Sequence, residues 1–261
     1  MSRPKYRVSP SLLNKWTSLV NSDRDWEQFH GDKDEPSVTP EEFFARRERE
    51  LLDAINRVPF VSEPASRGTA LNEMVDCIVE NRKPRPDMLV ERVHSPADGR
   101  LAALRAELDG FAWFFDAGLV RSLGKYFAGS VCQHRCEAEI ETDFGPVIVY
   151  GDADYIRRDL VLDLKTTARY DRYGKYSEGW QKAVYPYALT ESGEAVGISG
   201  FVYVVVPLKG ENPVTGEIRE EYYPYDHEAA RGEIRGALEA FIPWVEEHRE
   251  QITHKRIFNE I

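Results

Sequence analysis

Tyr150-Gly151-Asp152-Ala153-Asp154-Tyr155-Ile156-Arg157-Arg158-Asp159-Leu160-Val161-Leu162-Asp163-Leu164-Lys165-Thr166-Thr167 reads as two strands joined by a short turn at Arg157-Arg158-Asp159. On the second strand Leu160, Leu162 and Leu164 point to one face, and Asp163 and Lys165 to the other. Asp154 lies across the hairpin, where its carboxylate can approach that of Asp163. Two converging carboxylates with water make an oxygen-rich site suited to Mg²⁺, or Mn²⁺, rather than to softer ions. Metal there would polarise a phosphodiester oxygen and lower the pKa of a bound water, with Lys165 orienting that water or neutralising developing charge. An Asp-x-Lys triplet is common on solvated hairpins. This one ends an apolar strand, follows Gly-x-x-Asp on the neighbouring strand and precedes a basic segment.

Outward from this hairpin the apolar period changes near Ser130. Before it, Ser9-Pro10-Ser11 opens an amphipathic helix through Leu12, Leu13, Trp16 and Leu19. Asp32–Pro40 is a polar, turn-rich loop, and Thr39-Pro40-Glu41-Glu42 then caps a second helix running to about Arg57. Ser66–Arg82 is a third helix, and Asp98–Lys125 contains at least one more, rich in Leu and Phe. After it, Cys132–Thr142 and Val147–Ile156 flank the turn Asp143-Phe144-Gly145-Pro146. Ser177–Leu189 returns to helical spacing, and Gly200–Leu208 is the continuous Val-rich run of a strand buried on both faces. Glu221–Tyr225 reads as an edge strand and Glu228–Gln251 as a terminal helix. The expectation is one α/β domain over 1–261, with 1–130 mainly helical and 131–261 a sheet core with flanking helices.

The chain has 261 residues, 42% hydrophobic and 30% charged, enough apolar material for a core and too much for wholesale disorder. No apolar run approaches membrane-spanning length, and the charged N-terminus has no apolar segment of a secretory signal. Three cysteines argue against a disulfide framework, so a cytoplasmic protein is expected. The net charge of −11 is unevenly spread. Met1–Val20 carries Arg3, Lys5, Arg7 and Lys15 with no acid, and Lys165–Lys182 holds five basic residues against Asp171 and Glu178. A polyanion feels such local fields, so the overall charge does not exclude nucleic acid.

The central segment resembles the PD-(D/E)XK nuclease superfamily, in particular its RecB-like exonuclease branch. Gly151…Asp154, Asp163-Leu164-Lys165-Thr166 and Gln181…Tyr185 match that branch's Gly-x-x-Asp, Asp-x-Lys-Thr and Gln-x-x-x-Tyr. Upstream, Gly68-Thr69 resembles its Gly-Thr-x-x-His helix start, and Ser9-Pro10-Ser11-Leu12-Leu13 its N-terminal entry. The matches follow the family's order across roughly residues 9–190. The resemblance implies a restriction-endonuclease-like core, a central mixed sheet flanked by helices behind a helical N-terminal part. It implies catalysis by Asp154, Asp163 and Lys165, with Mg²⁺ (or Mn²⁺) at Asp154, Asp163, Leu164 and Asn72. It implies DNA contacts from Gln181 and Tyr185, which lie four apart on one helical face. Arg169, Arg172 and Lys175, in the basic segment after the metal motif, are added as DNA contacts. DNA is the expected partner, and a recombinase or single-strand-binding protein is a candidate second one.

The family's histidine falls on Asn72, which offers a carbonyl oxygen and no imidazole; Glu73 and Asp76 stand close enough to substitute. Some branch members hold an iron–sulfur cluster through cysteines near both ends; Cys77, Cys132 and Cys136 do not match that pattern, so no cluster is expected. Cys132, His134 and Cys136 would share one face of a core strand, and the resemblance implies that an acid of this strand, Glu137 or Glu139, can face the metal. Tyr170, Tyr173, Tyr176 and Trp180 alternate with basic residues, a pattern that suits either base stacking or packing on the core. Three functions stay open: a Mg²⁺-dependent exonuclease of recombination, repair or phage DNA processing; a catalytically weakened DNA- or protein-binding module; and a restriction-type endonuclease.

Overall fold

The computed structural model describes residues 3–32 and 36–260; part of the polar loop expected over Asp32–Pro40 lies outside them. In chain order the elements are β1 (Tyr6–Val8), α1 (Pro10–Val20), α2 (Ser22–His30), α3 (Pro40–Ile55), α4 (Glu63–Val79), β2 (Leu89–His94), β3 (Leu101–Leu108), β4 (Phe111–Asp116) and α5 (Ala117–Tyr126). Then follow β5 (Val131–Thr142), β6 (Gly145–Arg157), β7 (Leu160–Thr167), α6 (Gln181–Glu191), β8 (Gly200–Pro207), β9 (Arg219–Pro224) and α7 (His227–Glu247). The fold is α/β, with a mixed six-stranded sheet flanked by helices.

Local chemistry explains the helix starts. At α3, Glu42 N donates to Thr39 Oγ1 (3.2 Å) and Thr39 N to Glu42 Oε2 (3.0 Å), a reciprocal capping box ahead of Pro40. Helix α4 starts three residues before the expected Ser66, because Ser62 Oγ caps it by accepting from Ala65 N. Helix α6 starts at Gln181 rather than Ser177, where Asn14 Oδ1 of α1 accepts from Trp180 N at 2.9 Å.

The first half is less helical than its composition implies. Residues 89–116 form a three-stranded antiparallel meander, β2-β3-β4, where a helix was expected within Asp98–Lys125; the helix there is α5 alone. Leu101-Ala-Ala-Leu-Arg-Ala-Glu-Leu108 is made of good helix formers, so propensity points the wrong way. Asp109 (φ 54°) and Gly110 (φ 82°) fold the chain back as a tight hairpin turn, and the ladder overrides propensity. Strand β1 also went unread: three residues pair parallel to β6, Tyr6 with Val147 and Val8 with Val149.

The large sheet separates two apolar clusters. One holds Leu12, Leu13, Leu51, Val184, Tyr187, Phe241 and Ile242, on the face covered by α1, α3, α6 and α7. The other holds Leu71, Val75, Trp113, Phe115, Val120 and Leu123, on the face covered by α4, α5 and the meander. Strand β8 serves both, sending Phe201, Tyr203 and Val205 one way and Val202, Val204 and Val206 the other. That matches its unbroken apolar run. Residues from both halves of the chain build each cluster. No helix among the described residues is long and apolar enough to cross a membrane.

Gly110 carries the positive φ that the β3–β4 hairpin requires, with nothing within 4 Å of an added Cβ. Gly110→Ala is expected to cost about 1 kcal/mol through backbone strain alone, read as a lower urea midpoint at unchanged slope.

Candidate active site

A strand has two edges. Strand β5 pairs with β6 along one of them, from Gly145 to Ile156, so β1 and β7 must share the other. Strand β1 takes Val147–Val149 and β7 takes Tyr155–Arg157, which leaves Tyr150–Asp154 without a strand partner on that edge. The β6–β7 ladder stops at Tyr155 opposite Leu162, and one step beyond it Leu164 N donates to Asp154 Oδ2 at 3.1 Å. Leu164 therefore orients Asp154 through its backbone amide.

Asp163 lies beside this opening, 2% exposed, with Lys165 Nζ 2.7 Å from its Oδ2. Lys165 is the one partner of this buried oxygen among the described residues. Burial, then the charge of Asp163, push Asp154 up to about 7, against the pull of Lys165 and the Leu164 amide. For Lys165, burial favours the neutral amine, but Asp163 and Asp154 outweigh it and the pKa is raised. The three side chains form one electrostatic unit, in which two carboxylates repel and one ammonium cannot satisfy both.

Helix α6 closes one side. Tyr185 packs its ring on Gly151, where any Cβ would collide with Tyr185 Cε1, so this glycine makes room for an aromatic ring. Burial, then the charges of Asp163 and Asp154, raise the Tyr185 pKa. One turn earlier, Gln181 Oε1 accepts from Asn14 Nδ2 and from Tyr203 Oη, both at 3.3 Å. Beneath it a cleft of about 330 Å³ is lined by Asn14, Ser18, Lys165, Gln181 and Tyr203 among others. Lys165 is thus reachable from solvent through this cleft.

Helix α4 closes the other side. Gly68 seats it on β7, since a Cβ there would lie 2.6 Å from Thr166 Oγ1. Asp76 Oδ1 accepts from Tyr155 Oη at 2.6 Å and Oδ2 from Gln133 Nε2 at 3.2 Å. Asn72 Oδ1 stands 3.4 Å from the same Tyr155 hydroxyl, so Asn72 and Asp76 do share the face turned to β6. The hydroxyl has one proton, and the shorter contact is to Asp76. Burial pushes Asp76 up to about 6 against these hydrogen bonds. Glu73 is engaged elsewhere: it accepts from Arg82 Nη1 at 2.5 Å and from Arg85 N at 2.8 Å.

Other expectations are corrected. Gln133, at φ 48°, lies opposite Asp154 and breaks the alternation of β5, so Cys132 enters one apolar cluster and Cys136 the other. The three residues Cys132, His134 and Cys136 do not share a face. Glu137 and Glu139 sit opposite Tyr150 and Ile148, well along from Asp154, and Glu137 pairs with Arg7 at 2.5 Å. Lys175 Nζ is spent on Thr167 Oγ1 (2.7 Å) and Arg169 O (2.5 Å), tying its own loop together. Arg169 is open, its side chain 84% exposed and 3.6 Å from Asp171, and Arg172 is exposed. Tyr170, Tyr176 and Trp180 pack on the core, and Tyr173 spends its hydroxyl on the main chain of Tyr222.

Three residues of the site went unread. Tyr155 follows Asp154 directly, but no pattern marks its hydroxyl as the partner of Asp76. The left-handed turn at Gln133 has no composition signal. Glu221 of β9, fully buried, accepts from Lys175 N (3.0 Å), Tyr176 N (3.1 Å) and Tyr223 Oη (2.7 Å), which anchors the loop after β7. Its burial on an edge strand contradicts what a Glu-Glu pair implies.

No protein-family model and no curated protein matches the chain. Among solved structures it is similar to one described as "Crystal structure of SSO0001", at 16% identity and a TM-score of 0.31. That match covers 46% of this chain and 55% of that one, so the chain spans about half the length of that structure.

The raised pKa of Asp76 means the folded state prefers it protonated. The contribution of Asp76 to stability is greatest below the ordinary aspartate range and falls as pH climbs toward about 6. Asp76→Asn, which can still accept from Tyr155, is expected to match the wild type near pH 4. Above pH 6 it should exceed it by on the order of 1–2 kcal/mol in urea unfolding.

Proposed function

We propose that the chain is a metal-dependent DNA nuclease built on a PD-(D/E)XK core, a cytoplasmic exonuclease of the recombination or repair kind. The observation that carries the proposal is the buried carboxylate of Asp163, whose Oδ2 is met by Lys165 alone, beside a second carboxylate, Asp154, whose ionised form is disfavoured by burial and by the charge of Asp163. A divalent cation would relieve both defects at once, so the donor set suits a hard metal ion. Among the described residues, no group of three or more His, Cys, Asp or Glu is gathered for a metal. The two carboxylates would therefore share the ion with main-chain oxygen and water, with Leu164 and Asn72 as the neighbouring candidates. Bound Mg²⁺ or Mn²⁺ would supply charge stabilisation at a phosphodiester and a water of lowered pKa.

The chain's own groups divide the remaining tasks. Lys165, open to the cleft and kept charged by Asp163, holds a water or a phosphate oxygen at its ammonium. Gln181 lines that cleft and Tyr185, one turn on, packs on Gly151; Arg172 and Arg169, the latter near Asp171, are exposed on the loop after β7 and would meet a phosphate backbone. A recombinase or single-strand-binding protein acting on the same DNA remains a candidate partner. One feature favours a second reading, a DNA-binding module without cleavage: Asn72 lacks the family's imidazole and lies against a tyrosine hydroxyl.

A digest of linear and circular DNA with Mg²⁺, Mn²⁺ or EDTA separates these readings. Loss of linear DNA alone is expected, abolished by EDTA; discrete bands would indicate a restriction-type enzyme, and binding without loss the module. Asp163→Asn and Lys165→Ala are each expected to lower cleavage by about a hundredfold or more. Both should keep the circular dichroism of the wild type. Asp163→Asn within tenfold of wild-type rate would remove this site from the mechanism.

A further inference from the structure

Tyr150 is 7% exposed yet belongs to neither apolar cluster. Guanidinium groups cover it. Arg7 of β1, Arg135 of β5 and Arg256 of the 3-10 turn Lys255–Phe258 place Cζ 5.1, 4.5 and 4.6 Å from its ring centroid. Cation–π attraction holds each one, but it does not cancel the repulsion among three like charges. The counter-charges fall short. Glu137 takes Arg7 at 2.5 Å, Asp152 lies 3.4 Å from Arg135, and among the described residues no carboxylate is within ion-pair distance of Arg256. In a chain of net charge −11 this is a local positive excess, fixed in place by one ring and supplied by three separate elements.

Its position gives it a use. Tyr150 and Asp154 lie at the two ends of the stretch of β6 that neither β1 nor β7 pairs. Four residues at about 3.3 Å each put Tyr150 roughly 13 Å from Asp154. That is about four nucleotides of rise along a duplex. We infer that Arg7, Arg135 and Arg256 around Tyr150 form a seat for the sugar–phosphate backbone of DNA, holding the strand beside the Asp154–Asp163–Lys165 centre without reading its sequence. The inference rests on the nuclease reading for the identity of the polyanion. It assigns a use to Arg7, part of the N-terminal basic island, which that centre does not engage. Planar guanidiniums suit bidentate contact with phosphate oxygens, and the tyrosine removes much of the entropy cost of holding them.

The test is fluorescence anisotropy with labelled single-stranded and duplex DNA of about 20 nucleotides, in EDTA, across roughly 50–300 mM salt. Arg135→Ala and Arg256→Ala should each weaken binding about five- to tenfold at low salt and lower the slope of log K against log salt by about 1. The effect should be equal for unrelated sequences. Arg256→Lys should keep the slope and Arg256→Met should lose it, which separates charge from packing on Tyr150. Arg92→Ala, on the exposed meander strand β2, should change nothing. Unaltered slopes in the alanine variants would overturn the seat, as would a wild type that binds no DNA. A wild type that cleaves DNA while the slopes stay unaltered leaves the nuclease reading standing and removes the seat alone. Arginine-dependent binding without any cleavage does the reverse.

Discussion

The hydrogen bond from Leu164 N to Asp154 Oδ2 is where the main sheet stops being a regular sheet. In an unbroken antiparallel ladder that amide would donate to a main-chain carbonyl of β6. Giving it to a carboxylate splays β6 from β7 and turns Asp154 into the opening. The arrangement places Asp163 in a buried position with Lys165 as the one partner of its Oδ2 among the described residues. Two buried acids of the same sign cost stability unless a cation compensates them, and Lys165 is one cation for two acids. The rest of the molecule is arranged around that imbalance.

Both faces of the sheet hold the opening in shape by close backbone approach. Tyr185 of α6 settles on Gly151, and α4 settles on Thr166 through Gly68. A methyl group at either glycine would push a helix off the strand that carries the carboxylates. The second support is polar. Tyr155 and Gln133 fix Asp76 against β6, and the buried carboxylate of Glu221 ties the loop after β7 to the edge strand. Removing one member of such a network leaves a buried group unpaired, which costs more than the hydrogen bond itself. These residues position the site without being part of its reacting groups.

Much of this was legible in the sequence. The Leu160, Leu162, Leu164 alternation placed Asp163 and Lys165 on one face of β7, and the short turn brought Asp154 to it. The valine run of β8 announced a strand buried on both sides. What escaped reading has physical reasons. Residues 101–108 are helix formers recruited into a ladder by a turn, and β1 is too short to carry a period. The left-handed Gln133 flips the facing of a strand whose alternation looked regular, so the two cysteines part company, and Glu137 and Glu139 lie too far along β5 to reach Asp154. Lys175 read as a free cation, yet its loop folds back and uses it internally. Long-range partners such as Tyr155 with Asp76, or Glu221 with the loop at Lys175, leave no local mark on a sequence.

The electrostatic account has a thermodynamic signature that activity measurements lack. A cation entering between Asp154 and Asp163 must displace whatever proton Asp154 retains, since burial and the charge of Asp163 raise its pKa. Calorimetric titration of Mn²⁺ into the protein at pH 7, repeated in buffers of different ionisation enthalpy, reads that proton directly. The account requires one site per chain in the wild type, a heat that varies with the buffer because a fraction of a proton is released, and loss of the site in Asp163→Asn. Binding that persists unchanged in Asp163→Asn, or no Mn²⁺ binding by the wild type, would contradict it.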